Sequence, residues 1–292
     1  MTILLLPLAV AVIVVLLAAV GPAAAPYPPD AFVARPLLLP SGAHLLGTDA
    51  VGHDLFSQLI AGARPSVVAG TLGAAVSTAL ALVVGVLATA GRRADALARS
   101  ATDLVLALPV LPLVILVVAL AGPSLGTVAL ALGALSWPAF ARVVRAQTLT
   151  ELTRGHVEAA RALGLSPARI LARHVAPALL PIVVAKAILT LQYVVLAEAS
   201  LAFIGLGDPR ILSWGGAVER AVAYPLLFAG PTWLWWLVPP AVAIALFVAS
   251  LAVLGTALDA RLLVSGGRSG HQRRPAASRT STRRHRVERP LG

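Results

Sequence analysis

Few residues in this chain have side chains suited to covalent chemistry. There is no cysteine, so a thiol nucleophile, a disulfide framework and a cysteine metal site are all excluded. The sole lysine, Lys186, follows Ala185 rather than glycine. A phosphate-binding P-loop needs Gly-Lys-Ser/Thr, so the chain does not hydrolyse ATP by that route. No HExxH or recognised serine–lysine spacing occurs, and the one GxSxG match, Gly122 to Gly126, sits between two long apolar runs and not at the strand-to-helix turn of a nucleophile elbow. His44 and His53 stand nine apart with Asp49 and Asp54 nearby. A metal site there would lack a recognised ligand spacing. No catalytic residue, metal ligand or cofactor is therefore assigned. What remains is a set of isolated charges in apolar surroundings, and one dense cluster. The isolated ones are Lys186 and Glu198, with Asp208 just beyond. The cluster runs from Glu151 to Ala178 and holds Arg154, Arg161, Arg169 and Arg173 with Glu151 and Glu158.

The elements that position these groups are membrane helices. The chain has 292 residues, of which 59% are hydrophobic and 12% charged. That is too apolar for an ordinary soluble domain. The net charge is +11, but residues 266–292 hold eight Arg and one Glu and so supply +7 of it. The rest of the chain is close to balanced, and a nucleic-acid partner is a poor reading. Spans are expected at about 3–20, 66–90, 104–121, 125–144, 178–200 and 232–256, near the 20 residues that cross a bilayer. The thirty-eight uncharged residues from Leu104 to Ala141 are too many for one span. Gly122-Pro123-Ser124 supplies the turn between two. For 3–20 a signal peptide is the rival, helped by Ala23-Ala24-Ala25. No Lys or Arg precedes the run, however, which favours a retained helix.

The charged cluster reads as two short helices meeting at a corner. The first ends near Gly164, which can take the positive φ of a C-terminal cap. The second starts with Ser166 as N-cap and Pro167 in the first turn. It is expected to stop near Pro177, because proline breaks a helix interior. With six spans, the links 91–103, 142–174 and 257–292 share one side and carry eighteen basic residues. The opposite loops carry four: Arg35, Arg64, Arg210 and Arg220. The basic-rich side is expected to be cytoplasmic. Both termini and the corner would then face the cytoplasm.

Glu158-Ala159-Ala160, then Gly164, then Pro177 thirteen positions later, resembles the EAA loop of bacterial ABC importer permeases. The wider run VEAARALGLSPARILARHVAP is similar to the dipeptide/oligopeptide/nickel branch of that family. Two further stretches resemble its signatures: HLLGTDAVGHDLFSQLIAGARPS from His44, and EASLAFIGLG from Glu198 followed by Ser213-Trp214-Gly215. LDAR, Leu258 to Arg261, resembles the closing LDPR. Ala176, Ala178, His53, Gln58, Ala202 and Ile204 depart from the usual residues. The resemblance covers about residues 44–261. It implies an all-α polytopic bundle of about six spans with the type I importer permease fold, MetI-like. It implies a permease domain over 1–265 with a cytoplasmic coupling loop at about 150–177. Residues 266–292 would be a basic disordered tail, or one that touches anionic lipid. Coupling to the ATPase would fall on Glu158, Ala159, Ala160, Arg161, Gly164, Ser166, Pro167 and Pro177. The implied partners are a homologous permease, two cytoplasmic ABC ATPases and an extracytoplasmic solute-binding protein. The site of action is the bacterial inner membrane. The implied cargo is a di- or oligopeptide, with nickel or another small solute as the alternative. Relatives usually begin with a polar cytoplasmic segment, so the start codon stays open.

Glu198 and Asp208 are the pathway candidates, as acceptors for a peptide ammonium. Their plainer roles are a contact within the permease pair and a turn residue between Gly207 and Pro209. The segment His44–Ser66 is either an outer lip of the pathway or a structural hairpin. Asp49 is the expected cap of its short helix. An ion-coupled secondary transporter is the main rival class. It would want several intramembrane acids, and Glu198 is the clear one.

Overall fold

The structure is a computed structural model that describes residues 4–270. The expected tail falls mostly outside these residues. Its first five positions continue the last helix. Helices account for nearly all the ordered backbone, and no strand occurs among the described residues beyond one isolated bridge, Thr48 to Asp54. The elements are α1 (Leu5–Ala24), α2 (Leu55–Leu87), α3 (Arg92–Ala107), α4 (Val110–Ala121), α5 (Leu125–Leu152), α6 (Gly155–Ala162), α7 (Pro167–Ile170), α8 (Ala176–Leu201), α9 (Trp214–Val222), α10 (Trp233–Trp236) and α11 (Val238–Gly270).

Four segments are long and apolar enough to cross a membrane: Leu55–Leu87, Leu125–Leu152, Pro167–Leu206 and Trp233–Ala260. A fifth is a broken pair, α3 with α4, bent by 82°. The apolar run of α1, Leu5–Gly21, is shorter than these and is not among the four or five segments long enough to cross. The third expected span, 104–121, is thus not a straight helix. Pro109 restricts the residue before it, and Leu108 is extended at φ −87°, ψ 138°. Two other expected borders also move. α2 begins at Leu55, eleven residues before the expected start, and absorbs Pro65. α5 runs on to Leu152, so the basic link begins inside a helix.

The bundle is built around α2, which packs along α5, α8 and α1, while α11 packs against α8 and α1. Glycines let α2 and α5 meet at backbone distance. A Cβ on Gly133 would sit 2.6 Å from the Gly73 carbonyl oxygen, and one on Gly85 would sit 2.8 Å from that of Ala141. Without a hydrophobic force between helices in lipid, such close packing is a main source of association. Val114, Val118, Val128, Leu132, Val194 and Leu201 fill the contact of α4, α5 and α8. A second cluster ties Val14 and Ala18 of α1 to Val67, Val195, Trp214 and Phe247.

Candidate functional site

The corner forms at Gly164 as the chain predicts, with two changes in its second helix. Gly164 has φ +80°. Its N–H donates to the Arg161 carbonyl (3.0 Å), and the Leu165 N–H donates to that of Ala160 (3.2 Å). This pair of bonds is a Schellman motif, and it satisfies carbonyls that a helix end leaves free. Val157 and Ala160 turn inward, where they join Trp137, Phe140, Val144, Ile170, Val175 and Leu179. Glu158, Ala159 and Arg161 face outward, as do Gly164, Ser166, Pro167 and Arg169. The buried stripe anchors the corner under α5 and leaves a charged outer face. Ser166 marks the start of α7, but its hydroxyl makes no cap bond.

The second helix does not stop at Pro177. α7, a π-helical turn at Leu171–Val175 and α8 run without a break from Pro167 to Leu201, and a second π-helical turn, Ala202–Leu206, ends the segment with Gly205 out of helical geometry at φ +84°. The Ala176 N–H donates to the Leu171 carbonyl, five residues back. Widening the turn in this way lets the chain pass a proline that would otherwise clash with the preceding turn.

Glu151, at the end of α5, is buried at 2% exposure. Its Oε1 accepts from Arg154 (3.0 Å) and Gln147 (3.3 Å), while Oε2 has no partner among the described residues. Asp95 of α3 pairs with Arg99 and with Arg145 of α5, and Asp103 pairs with Arg142 (2.6 Å). These pairs tie α3 to the polar end of α5.

At the far end of the bundle the acids divide. Glu198 is buried at 3% exposure, and its Oε2 has no hydrogen-bond partner among the described residues. Asp208 is occupied: Oδ2 accepts from the Leu125 N–H (3.3 Å), and Oδ1 accepts from the Arg210 N–H (3.0 Å) and its guanidinium (3.3 Å). Burial pushes its carboxyl up, but these donors outweigh it and hold the pKa below the ordinary range. Asp208 thus clips the turn before α5 to the turn before α9, which supports the turn role.

In the segment 44–66, Asp54 rather than Asp49 caps α2, accepting from the Ser57 N–H (2.8 Å). Asp49 Oδ1 instead gathers the N–H groups of Val51, Gly52 and His53. His44 pairs with Asp54 (2.9 Å) and His53 with Asp49 (2.7 Å). The four residues are two separate pairs, and no group of three metal-ligating side chains occurs among the described residues.

One feature the chain's local patterns do not show is the partner of Lys186. Its Nζ lies 2.6 Å from Asp259 Oδ2, between α8 and α11. The last membrane segment runs to Ala260, four residues past its expected end, and so brings Asp259 alongside Lys186, in keeping with the pairing of charges inside membrane segments. Nothing in local spacing joins positions 73 residues apart. Lys186 also lines a cavity of about 380 Å³ between α4, α5 and α8.

A family of proteins described as "Binding-protein-dependent transport system inner membrane component" matches residues 77–264. A Brucella suis protein whose name assigns it to a peptide transport system is 35% identical over 260 residues, 87% of this chain and 86% of that one. The Pseudomonas aeruginosa di/tripeptide transport system permease protein DppC is 34% identical over 256 residues, 84% of this chain and 82% of that one. Among solved structures, a chain of the inward-facing MetNI methionine ABC transporter aligns with a TM-score of 0.55. That alignment covers 71% of this chain and 95% of that one at 19% identity, a likeness of fold. The chain belongs to the family of binding-protein-dependent transport system inner membrane components. It is a multi-pass permease subunit of an ABC importer and not an enzyme. ATP hydrolysis belongs to separate subunits.

Proposed function

We propose that this chain and a homologous permease together form the membrane pathway of an ATP-driven importer of di- and oligopeptides. A solute-binding protein delivers the peptide outside, and two ATPases act on the cytoplasmic corner. The peptide assignment rests on the names of the relatives and on the resemblance of 44–261 to that branch. The orientation, with both termini and the corner inside, rests on the eighteen-to-four split of basic residues.

The observation that carries the coupling is the continuity of the segment that starts at Pro167. Its unbroken part, Pro167 to Leu201, is about 50 Å long at about 1.5 Å per residue. One end is the charged outer face of the corner, with Glu158, Ala159, Ala160, Arg161, Gly164, Ser166, Pro167 and Pro177 at or near the joint. The other end carries buried Glu198. A push on the corner is therefore delivered along one rod to the far side of the membrane. Two arrangements of the rod, biased by ATP, give alternating access. In this reading residues 1–265 form the transport domain, and 266–292 are a basic extension of it.

The test is uptake into proteoliposomes that hold both permeases and both ATPases, with loaded binding protein outside. ATP-dependent entry of di- and oligopeptides is expected. ATP-dependent entry of nickel or another small solute, with no peptide entry, would overturn the peptide assignment. Uptake driven by an ion gradient without ATP would overturn the class.

A further inference from the structure

We infer that the cavity between α4, α5 and α8 is a subsite for the carboxylate end of the transported peptide, with Lys186 as its anchor. The inference rests on the peptide reading above and goes further by naming the group bound and the side chain that binds it.

The cavity is about 380 Å³, within the range of about 300–1,000 Å³ typical of small-molecule sites. Its walls are mostly apolar, with Lys186 as the single charge and Ser136, Thr190 and Tyr193 as hydroxyls. The Ser136 and Thr190 hydroxyls donate back to carbonyls of their own helices. Asp259 takes one of the three Lys186 donors, and the ammonium and the exposed Tyr193 side chain both remain accessible from the cavity. Lys186 lies within a segment long and apolar enough to cross a membrane, where an ammonium turned to lipid is costly, so a partly exposed one is expected to border water or a ligand.

The backbone gives a second, independent argument. The α3–α4 break at Leu108–Pro109 opens directly beside the cavity, which Leu106 and Val110 line from either side of it. Pro138 of α5 lines it as well. Irregular backbone at membrane depth is tolerated where it is buried in protein or borders a water-filled space. The α3–α4 break, Pro138 and the Lys186 ammonium therefore border the same space.

Asp259 occupies one side of the Lys186 ammonium with a carboxylate oxygen at 2.6 Å. It shows the geometry a second carboxylate would take on the remaining donors. Lys186 lies nine residues beyond Pro177, about 13 Å along the helix, so the anchor moves with the rod that the corner drives. Peptide capture and ATPase closure would meet on one element.

The experiment uses the complete importer in proteoliposomes and two peptides that differ only in ending in a free carboxylate or a carboxamide. Each is presented on saturating binding protein, and the binding protein's own preference is measured separately and divided out. Wild type should favour the free acid by about tenfold or more, the size expected for one charge-assisted hydrogen bond. The double variant Lys186→Gln/Asp259→Asn removes the pair without orphaning a charge. It should assemble, hydrolyse ATP and show an acid-to-amide ratio near one, while Lys186→Arg should keep the preference. A double variant that assembles and retains the wild-type ratio overturns the inference. A single cysteine at Ser136 gives an independent readout if the double variant fails to assemble. The acid peptide should slow its labelling more than the amide does, and equal protection by the two overturns the subsite. Uptake of neither peptide by wild type would sink the peptide reading itself, whereas uptake of both without preference sinks the subsite alone.

Discussion

Gly164 has open space where a Cβ would stand, so its requirement is purely conformational. Its φ of +80° costs other L-residues roughly 1–2 kcal/mol, and asparagine least. Gly164→Asn should retain most uptake. Gly164→Val should lower both uptake and stimulation of the ATPases while leaving binding-protein affinity unchanged. Equal uptake by all three proteins would remove the corner geometry from the mechanism. Glu198 poses a different question, because its Oε2 has no partner within the described chain. Glu198→Gln keeps size and removes charge. If the carboxylate serves the pathway, uptake falls while assembly and basal ATP hydrolysis persist. If it pairs inside the permease dimer, the complex itself loosens, which size-exclusion chromatography would show. Burial pushes Asp208 up, but its donors hold it below the ordinary carboxylate range. Its folded pKa lies below its unfolded one, so its contribution is complete above the ordinary carboxylate range and is lost as pH falls through the lowered value. Asp208→Asn should therefore lower the melting temperature at pH 7 and lose that difference in strong acid. A difference that grows as the pH falls would contradict the clip.

At the scale of elements, the corner, its glycine hinge and most of the spans were legible in the chain. The Schellman glycine and the buried stripe of Val157, Ala160 and Ile170 follow local rules of φ and helical spacing. Pro177 misled because a proline's cost depends on the turn before it. A π-helical turn widens the backbone there, and no propensity signals it. Pro109 behaves differently: it marks a true break, with the helices on either side bent by 82°. Which proline bends and which breaks is decided by what packs around it. The α2–α5 seam can be tested apart from function. Gly133→Val would drive a side chain into the Gly73 carbonyl, and overpacking of this kind costs about 1–3 kcal/mol or more. Gly126→Val meets only the Ser124 hydroxyl, 3.9 Å from its Cβ, and should be near neutral. Equal melting temperatures for the two variants would mean that the seam is looser than described.

For the whole molecule, composition and charge gave the membrane bundle, because apolar length and basic asymmetry are summed over many residues and survive local errors. The pairing of Lys186 with Asp259 and the cavity beside it were hidden, because they arise only when α8 meets α11 and α5. The site of coupling lies between these extremes: a local motif whose meaning depends on which side of the membrane it faces. The absence of cysteine makes that directly measurable. A single cysteine at Ala159, on the outer face of the corner, and another at Ser41, in the loop before α2, report the two sides. In intact cells an impermeant thiol reagent should label Ser41→Cys and leave Ala159→Cys untouched. In the purified importer Ala159→Cys should cross-link to an ATPase subunit. Labelling of Ala159→Cys from outside, or a transporting complex in which it never reaches the ATPase, would contradict the account.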